Sequence, residues 1–273
     1  MTKGTTERLR RFTRRHIGNH WVMIVCFIGL VVTGMPQRYA SQAWAKGVVM
    51  IVGGVERVRW LHHLLGSIMA LQLVWHFLEA IWLHYVRRLP MPMVPRLKDV
   101  TDFRDQVRFN LGVADQPPEM GRYTFAEKLE YLALVWGSIV MVATGLLLLY
   151  PVRWSSLVPG EFILAAKAAH GGEALLAFLS ILTWHFYFVH VRHWNTAIFT
   201  GHLDEHAYAE EHALELSRLR RGEAVTPQPA RIVRVVLFAL AVILTVGAVI
   251  ALMTWLGTSS AAIKTIAWAA GGG

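Results

Sequence analysis

At 273 residues, 55% hydrophobic and only 16% charged, with a mean hydropathy of +0.41, the chain excludes an ordinary soluble domain and fits one membrane-embedded bundle. The net charge of +9 requires no nucleic-acid partner, because the basic residues gather in the connections between apolar segments. The single cysteine, Cys26, excludes an internal disulfide.

In chain order, five stretches reach the roughly 20 apolar residues that a membrane crossing needs. They run from Ile17 to Met35, Leu61 to Tyr85, Tyr131 to Tyr150, His170 to Val191 and Ile232 to Leu256. Several Trp residues (Trp21, Trp60, Trp154, Trp194) fall near their ends, where amphipathic rings favour the headgroup zone. The Arg-rich start, apolar run and small residues from Ala40 to Ala45 mimic a signal peptide, but four further spans predict an uncleaved first helix. Gly47 to Val55 is too short to span and reads as an interfacial or re-entrant segment. The polar connection from Arg87 to Lys128 carries Pro90, Pro92, Pro95, Pro117 and Pro118 and mixes acids with bases, which predicts a short amphipathic helix between proline-broken arms. No internal repeat of solenoid length is visible.

Lys and Arg number six before span 1, eight between spans 2 and 3 and six around the connection from span 4 to span 5. The other side holds four, two and one, so the division is 20 against 7. The positive-inside rule then puts the N-terminus in the cytoplasm and, after five spans, the C-terminus in the periplasm.

Histidines at membrane depth are costly and point to function. His62 and His76 in span 2 are 14 residues apart, about 40° from eclipsed and roughly 21 Å apart along a helix axis. His170 and His185 in span 4 are 15 apart, about 60° from eclipsed and roughly 22 Å apart. Two helices thus present an outer and an inner histidine, the arrangement that two stacked haems with paired imidazole ligands require. No Cys-x-x-Cys-His occurs, so covalent c-type attachment is excluded. His20 lies at the inner depth as well and competes for an axial place, whereas His63 should face elsewhere. Gly18, Gly29, Gly34, Gly66, Gly171 and Gly172 either admit a flat macrocycle or serve ordinary helix packing.

The sequence resembles the integral-membrane cytochrome b subunits of formate dehydrogenases, nickel–iron hydrogenases and thiosulfate reductases. The resemblance is carried by His20-Trp21, Thr33-Gly34-Met35-Pro36 and Leu61-His62-His63-Leu64-Leu65-Gly66. It continues through Glu127-Lys128-Leu129-Glu130-Tyr131, Trp136-Gly137, Thr144-Gly145, His170, Glu173 to Ala177 and Trp184-His185-Phe186-Tyr187-Phe188-Val189-His190. It covers roughly residues 12 to 215 and is nearest a branch associated with multihaem c-type cytochromes, in which Thr200-Gly201-His202 and Glu211-His212 recur. The resemblance implies an all-α transmembrane bundle with a four-helix core holding two haem b groups, the inner on His20 and His185 and the outer on His62 and His170. The fifth, C-terminal span, His76 and His190 depart from the formate dehydrogenase pattern. They leave open His76 as the inner ligand, or a third haem.

The expected domains are a haem-binding unit over 1–215 and, over 216–273, a linker, the fifth helix and a short outer tail. The expected role is electron transfer between a quinone pool and a partner redox protein, a multihaem c-type cytochrome or an iron–sulfur subunit, in the bacterial inner membrane. Glu79, three residues after His76 inside an apolar span, reads as a proton route or quinone contact, or as a paired structural acid. The quinone is expected near His20, Glu79, Asn110 and Tyr131. His16, His84, His190 and His193 suit haem propionates or lipid phosphate, while His202, His206 and His212 suggest a solvated surface helix. The competing reading is a membrane di-iron oxygenase, with His16-x-x-x-His20, His190-x-x-His193 and His202-x-x-x-His206 as histidine boxes. A haem-free metal-ion transporter would need more midplane carboxylates than Glu79.

Overall fold

The computed structural model describes residues 8–192, 194–223 and 225–257. Eleven helices carry the described chain, and five of them are long and apolar enough to cross a membrane: α1 (Arg14–Arg38), α3 (Val55–Ile81), α5 (Phe125–Leu149), α7 (Glu161–Ser180) and α11 (Ile232–Gly257). Short helices join them: α2 (Ala43–Val52), α4 (Leu97–Asn110), α6 (Pro151–Ser155), α8 (Ala197–Thr200), α9 (Glu205–Glu211) and α10 (Ala213–Arg220). Two helices do not stop where their α-helical hydrogen bonding stops. Trp82–Val86 prolongs α3 and Ile181–His185 and Tyr187–Arg192 prolong α7 in π geometry, so both spans run to 32 residues.

The helix starts follow local chemistry. The Thr13 hydroxyl accepts from the backbone of His16 at the head of α1, and Thr124 with Glu127 forms a reciprocal cap on α5. The turn from α2 into α3 uses Gly53 and Gly54 at φ of 101° and 103°, a left-handed region that side chains other than glycine's resist. Helices α3 and α7 begin at Val55 and Glu161, well before the expected Leu61 and His170. The apolar run marks the lipid-facing stretch, whereas the helix continues through the polar residues Glu56, Arg57 and Arg59, and through Lys167. His62 and His170 are therefore inside their helices rather than at the mouths.

The core is a ring of four helices. Helix α1 packs along α3 and α5 along α7, and contacts of α3 with α5 and α1 with α7 close it. Helix α11 lies outside this ring and touches it near its ends. Phe238 meets Trp82 at 5.1 Å between ring centroids, and the Arg234 guanidinium donates to the Tyr85 carbonyl at 3.5 Å. At the other end Trp255 meets Trp154 at 5.7 Å, with the Arg153 guanidinium 4.2 Å over the Trp255 ring. The expected tail beyond Gly257 lies outside the described residues.

A folded cap closes the basic end of the ring. β1 (Arg8–Arg10) pairs antiparallel with β2 (His202–Asp204), with Arg8 opposite Asp204 and Arg10 opposite His202. Ala197, Leu203, Tyr208 and Leu216 form its core, with Leu9, Phe12 and Ala207 against them. Arg11 is buried beneath, donating to Glu127 at 2.9 Å and to the Arg122 carbonyl at 3.1 Å, while Arg122 donates back to the Arg11 carbonyl at 3.1 Å. Within the polar connection, α4 is the expected amphipathic helix, and the Lys128–Asp99 ion pair of 2.6 Å pins it to α5.

The cap corrects the reading of residues 202–212 as one solvated helix. His202 is in a strand, and His212, at 1% exposure, is enclosed between α9 and α10 with its Nδ1–H donating to the Gly121 carbonyl at 3.0 Å. Desolvation, reinforced by the nearby Arg11 guanidinium, lowers the His212 imidazole from its ordinary 6.5 to about 4, so it is neutral near pH 7. The boundary expected after residue 215 falls inside α10, whose Leu216 belongs to the cap core.

Candidate functional site

The ring of helices brings the intramembrane histidines together in two pairs. His62 of α3 faces His170 of α7 with ring centroids 6.3 Å apart, and His20 of α1 faces His185, at the end of the first π segment of α7, at 6.4 Å. Two metal–imidazole bonds of about 2 Å each, with about 1 Å more from each nitrogen to its ring centre, put coaxial imidazole centroids about 6 Å apart. Both pairs have that spacing. Their interplanar angles of 69° and 42° are compatible with it, because axial rings can rotate about the bond axis. The residues present therefore fit a metal held between two neutral imidazoles at two depths.

Different side chains hold the two pairs. At the His62 level, Thr33 of α1 lies 3.0 Å from His62 Nδ1, and Thr144 of α5 lies 2.8 Å from His170 Nδ1. Glycine follows each threonine. A Cβ on Gly34 would come within 3.0 Å of His62 Cε1, and one on Gly145 within 3.5 Å of His170 Cε1, so the rings approach the α1 and α5 backbones where side chains are absent. At the His20 level, Glu130 Oε2 lies 3.3 Å from His185 Nδ1. His20 Nδ1 is buried with no hydrogen-bond partner among the described residues. Phe199 of α8 covers this level from the cap, 5.8 Å from the His20 ring, 5.3 Å from Trp21 and stacked on His190 at 5.9 Å.

The other histidines fall into place by what engages them. His76 directs Nε2 to the Tyr131 hydroxyl at 2.7 Å, so the imidazole across from His185 is that of His20. His63 is exposed on the far side of α3, as its helical phase predicts. His16 bonds the Thr13 hydroxyl at 2.8 Å as part of the α1 cap, and His84 Nδ1 donates to the Leu89 carbonyl at 3.0 Å. His193 lies outside the described residues.

Glu79 is paired: its carboxylate accepts from the Arg15 guanidinium at 2.6 Å, with the Glu79 side chain 16% exposed. It follows His76 by one helical turn, so the His76–Tyr131 pair and the Arg15–Glu79 pair share one end of α3. Asn110 bonds Gln106 on its own helix at 3.0 Å and is exposed. Among the described residues no group of three or more His, Cys, Asp or Glu side chains converges as a metal-ion site, so the histidine boxes do not assemble there.

Sequence reasoning missed the holders. Thr33, Thr144 and Glu130 stood in the quoted motifs without a role. The repeated Thr-Gly dipeptide, once in each helix preceding a ligand-bearing one, was the available signal. Arg11 and Phe199 had no local signal, because their partners are more than 100 residues away or come from the folded cap.

A sequence model of the prokaryotic cytochrome b561 family matches residues 8–201, from the first strand of the cap through all four helices of the ring. Among curated proteins no match is found. With its ring of membrane helices and its two facing histidine pairs, the chain belongs to the prokaryotic cytochrome b561 family, a family of haem b-binding membrane electron carriers.

Proposed function

We propose that this chain is a di-haem cytochrome b that carries electrons across the bacterial inner membrane between a quinone pool and a partner redox protein in a respiratory chain. The observation that carries the reading is the pair of imidazole spacings, 6.3 and 6.4 Å, at two depths of one helix ring. In this reading His62 and His170 hold the outer haem and His20 and His185 the inner one. Bound there, haem iron supplies a one-electron ferric–ferrous couple. The chain's own residues fix the imidazoles, exclude water and set the depth of each pair. The 20 to 7 division of Lys and Arg supports a cytoplasmic N-terminus and cytoplasmic cap.

The quinone is assigned to the inner side, beside the end of α3 where His76, Tyr131, Glu79 and Arg15 gather. Quinol oxidation releases protons, and a half-buried carboxylate with a guanidinium partner offers an acceptor at that depth. The electron partner is a multihaem c-type cytochrome or an iron–sulfur subunit, with membrane lipid around the ring. A reduced-minus-oxidised visible spectrum of the purified protein tests the reading. About two low-spin haem b per chain, reducible by a quinol, is the expected result, and a spectrum without haem bands sinks it.

A further inference from the structure

The two threonines that touch the outer histidines share a geometry that the haem assignment alone does not require. The Thr33 hydroxyl donates to the Gly29 carbonyl four residues back at 2.7 Å, and the Thr144 hydroxyl donates to the Val140 carbonyl four residues back at 2.6 Å. A hydroxyl has one proton, so both threonines meet the imidazoles with lone pairs only. The proton in each Thr–His bond then belongs to histidine: His62 and His170 each donate Nδ1–H, and Nε2 carries the lone pair. Both hydroxyls are nearly dry, at 3% and 9% exposure for their residues, so no water competes for either bond.

The arrangement is repeated. Thr33-Gly34 of α1 serves His62 of α3 as Thr144-Gly145 of α5 serves His170 of α7, with threonine on Nδ1 and the following glycine against Cε1 of the same ring. Two helix pairs that share no extended sequence repeat thus converge on one device. The inner pair lacks it, having a carboxylate on one ring and no partner on the other.

We propose that Thr33 and Thr144 are positioning residues for the outer haem, each locking its histidine in the Nδ1–H tautomer and fixing the ring plane so that Nε2 ligates. The inference rests on the assignment of His62 and His170 as ligands. The outer haem is then held by two neutral, fully oriented imidazoles, and outer partners of this kind change metal affinity about 10–100-fold when removed.

The test uses the full-length protein in detergent, with haem retention against an excess of a haem-scavenging apoprotein and low-temperature electron paramagnetic resonance of the two ferric signals. Thr33→Val and Thr144→Val keep shape but abolish the acceptor. Each is expected to release the outer haem about 10–100-fold faster and to move its resonance, with the double variant worse and the inner signal unchanged. Thr33→Ser and Thr144→Ser, which keep the hydroxyl, should restore both readouts. Wild-type retention and resonance in the double valine variant overturn the proposal. If the double variant loses both haems, the single variants decide: unchanged outer signals in both overturn it. His170→Ala separates the premise from the inference. Retention of both haems there removes the ligand assignment itself, whereas loss of the outer haem with silent valine variants removes the positioning role alone.

Discussion

The two histidine pairs have nearly the same spacing, 6.3 and 6.4 Å, yet the side chains around them have nothing in common. Around His62 and His170 the holders are hydroxyls and glycines inside the ring of helices; around His20 and His185 they are a carboxylate, an aromatic lid and a folded cap. Spacing is therefore a property of helix packing, which the ring supplies equally at both depths. Ring orientation and electrostatic tuning are properties of the local holders, and these make one level an internal feature of the bundle and the other an extension of the cap.

The largest effect that can break this comparison is removal of a ligand. His62→Ala or His170→Ala should cost the outer haem and spare the inner, and His20→Ala should do the reverse, read as one haem per chain in place of two. A His20→Ala protein with both haems, beside a His76→Ala protein with one, would instead give the inner place to His76.

Next in size is the cap. Arg11→Ala leaves Glu127, 38% exposed, without its cation and removes the buried centre of the cap, an expected loss of about 2–3 kcal/mol. Amide hydrogen exchange should show faster opening over 8–12 and 202–216 with no change around Thr33 and Thr144. Equal loosening at both levels would show that cap and ring form one cooperative unit.

The pH dependence has a similar magnitude. His212 is held at about 4 when folded against an ordinary 6.5, so between those values the unfolded cap binds more protons than the folded one. Cap stability should be constant above pH 6.5 and fall as pH drops from 6.5 towards 4, by up to about 3 kcal/mol at 1.4 kcal/mol per unit. His212→Gln should flatten that slope, as measured by proteolysis of the cap across the same pH range. An unchanged slope would place the acid sensitivity elsewhere.

Smaller effects sharpen the contrast in tuning. Glu130→Gln removes the carboxylate beside His185 and should raise the inner haem potential by some tens of millivolts, where a tenfold change in equilibrium is about 59 mV, leaving the outer potential in place. Glu79→Gln should slow quinol-linked reduction about tenfold with both haems retained; wild-type rates would mark Glu79 as the structural partner of Arg15.

The four-helix ring and the fifth span were legible because lipid demands long apolar runs, and such runs are visible in sequence. Their ends were not, since Val55 to Arg59 and Glu161 to Lys167 are polar enough to interrupt a hydropathy profile while remaining helical. The levels of His62, His170 and His185 followed from spacing alone. The choice of His20 over His76 came only with the family resemblance, because periodicity does not reveal that Tyr131 occupies His76. The cap was invisible for the opposite reason: Arg11, Tyr208 and His212 have the composition of a solvated surface, and only tertiary contact buries them.

The π segments of α7 give the chain a reading frame. A π turn accommodates one residue more than an α turn, so it acts as an insertion that is absorbed within the helix and not expelled as a loop. Deleting one residue between Ile181 and Thr183 would convert the turn to α geometry and rotate everything after it by about 100°, carrying His185 away from His20 while leaving His170 untouched. The length of this segment is thus as constrained as any side chain in it. A substitution there can be tolerated where a deletion cannot.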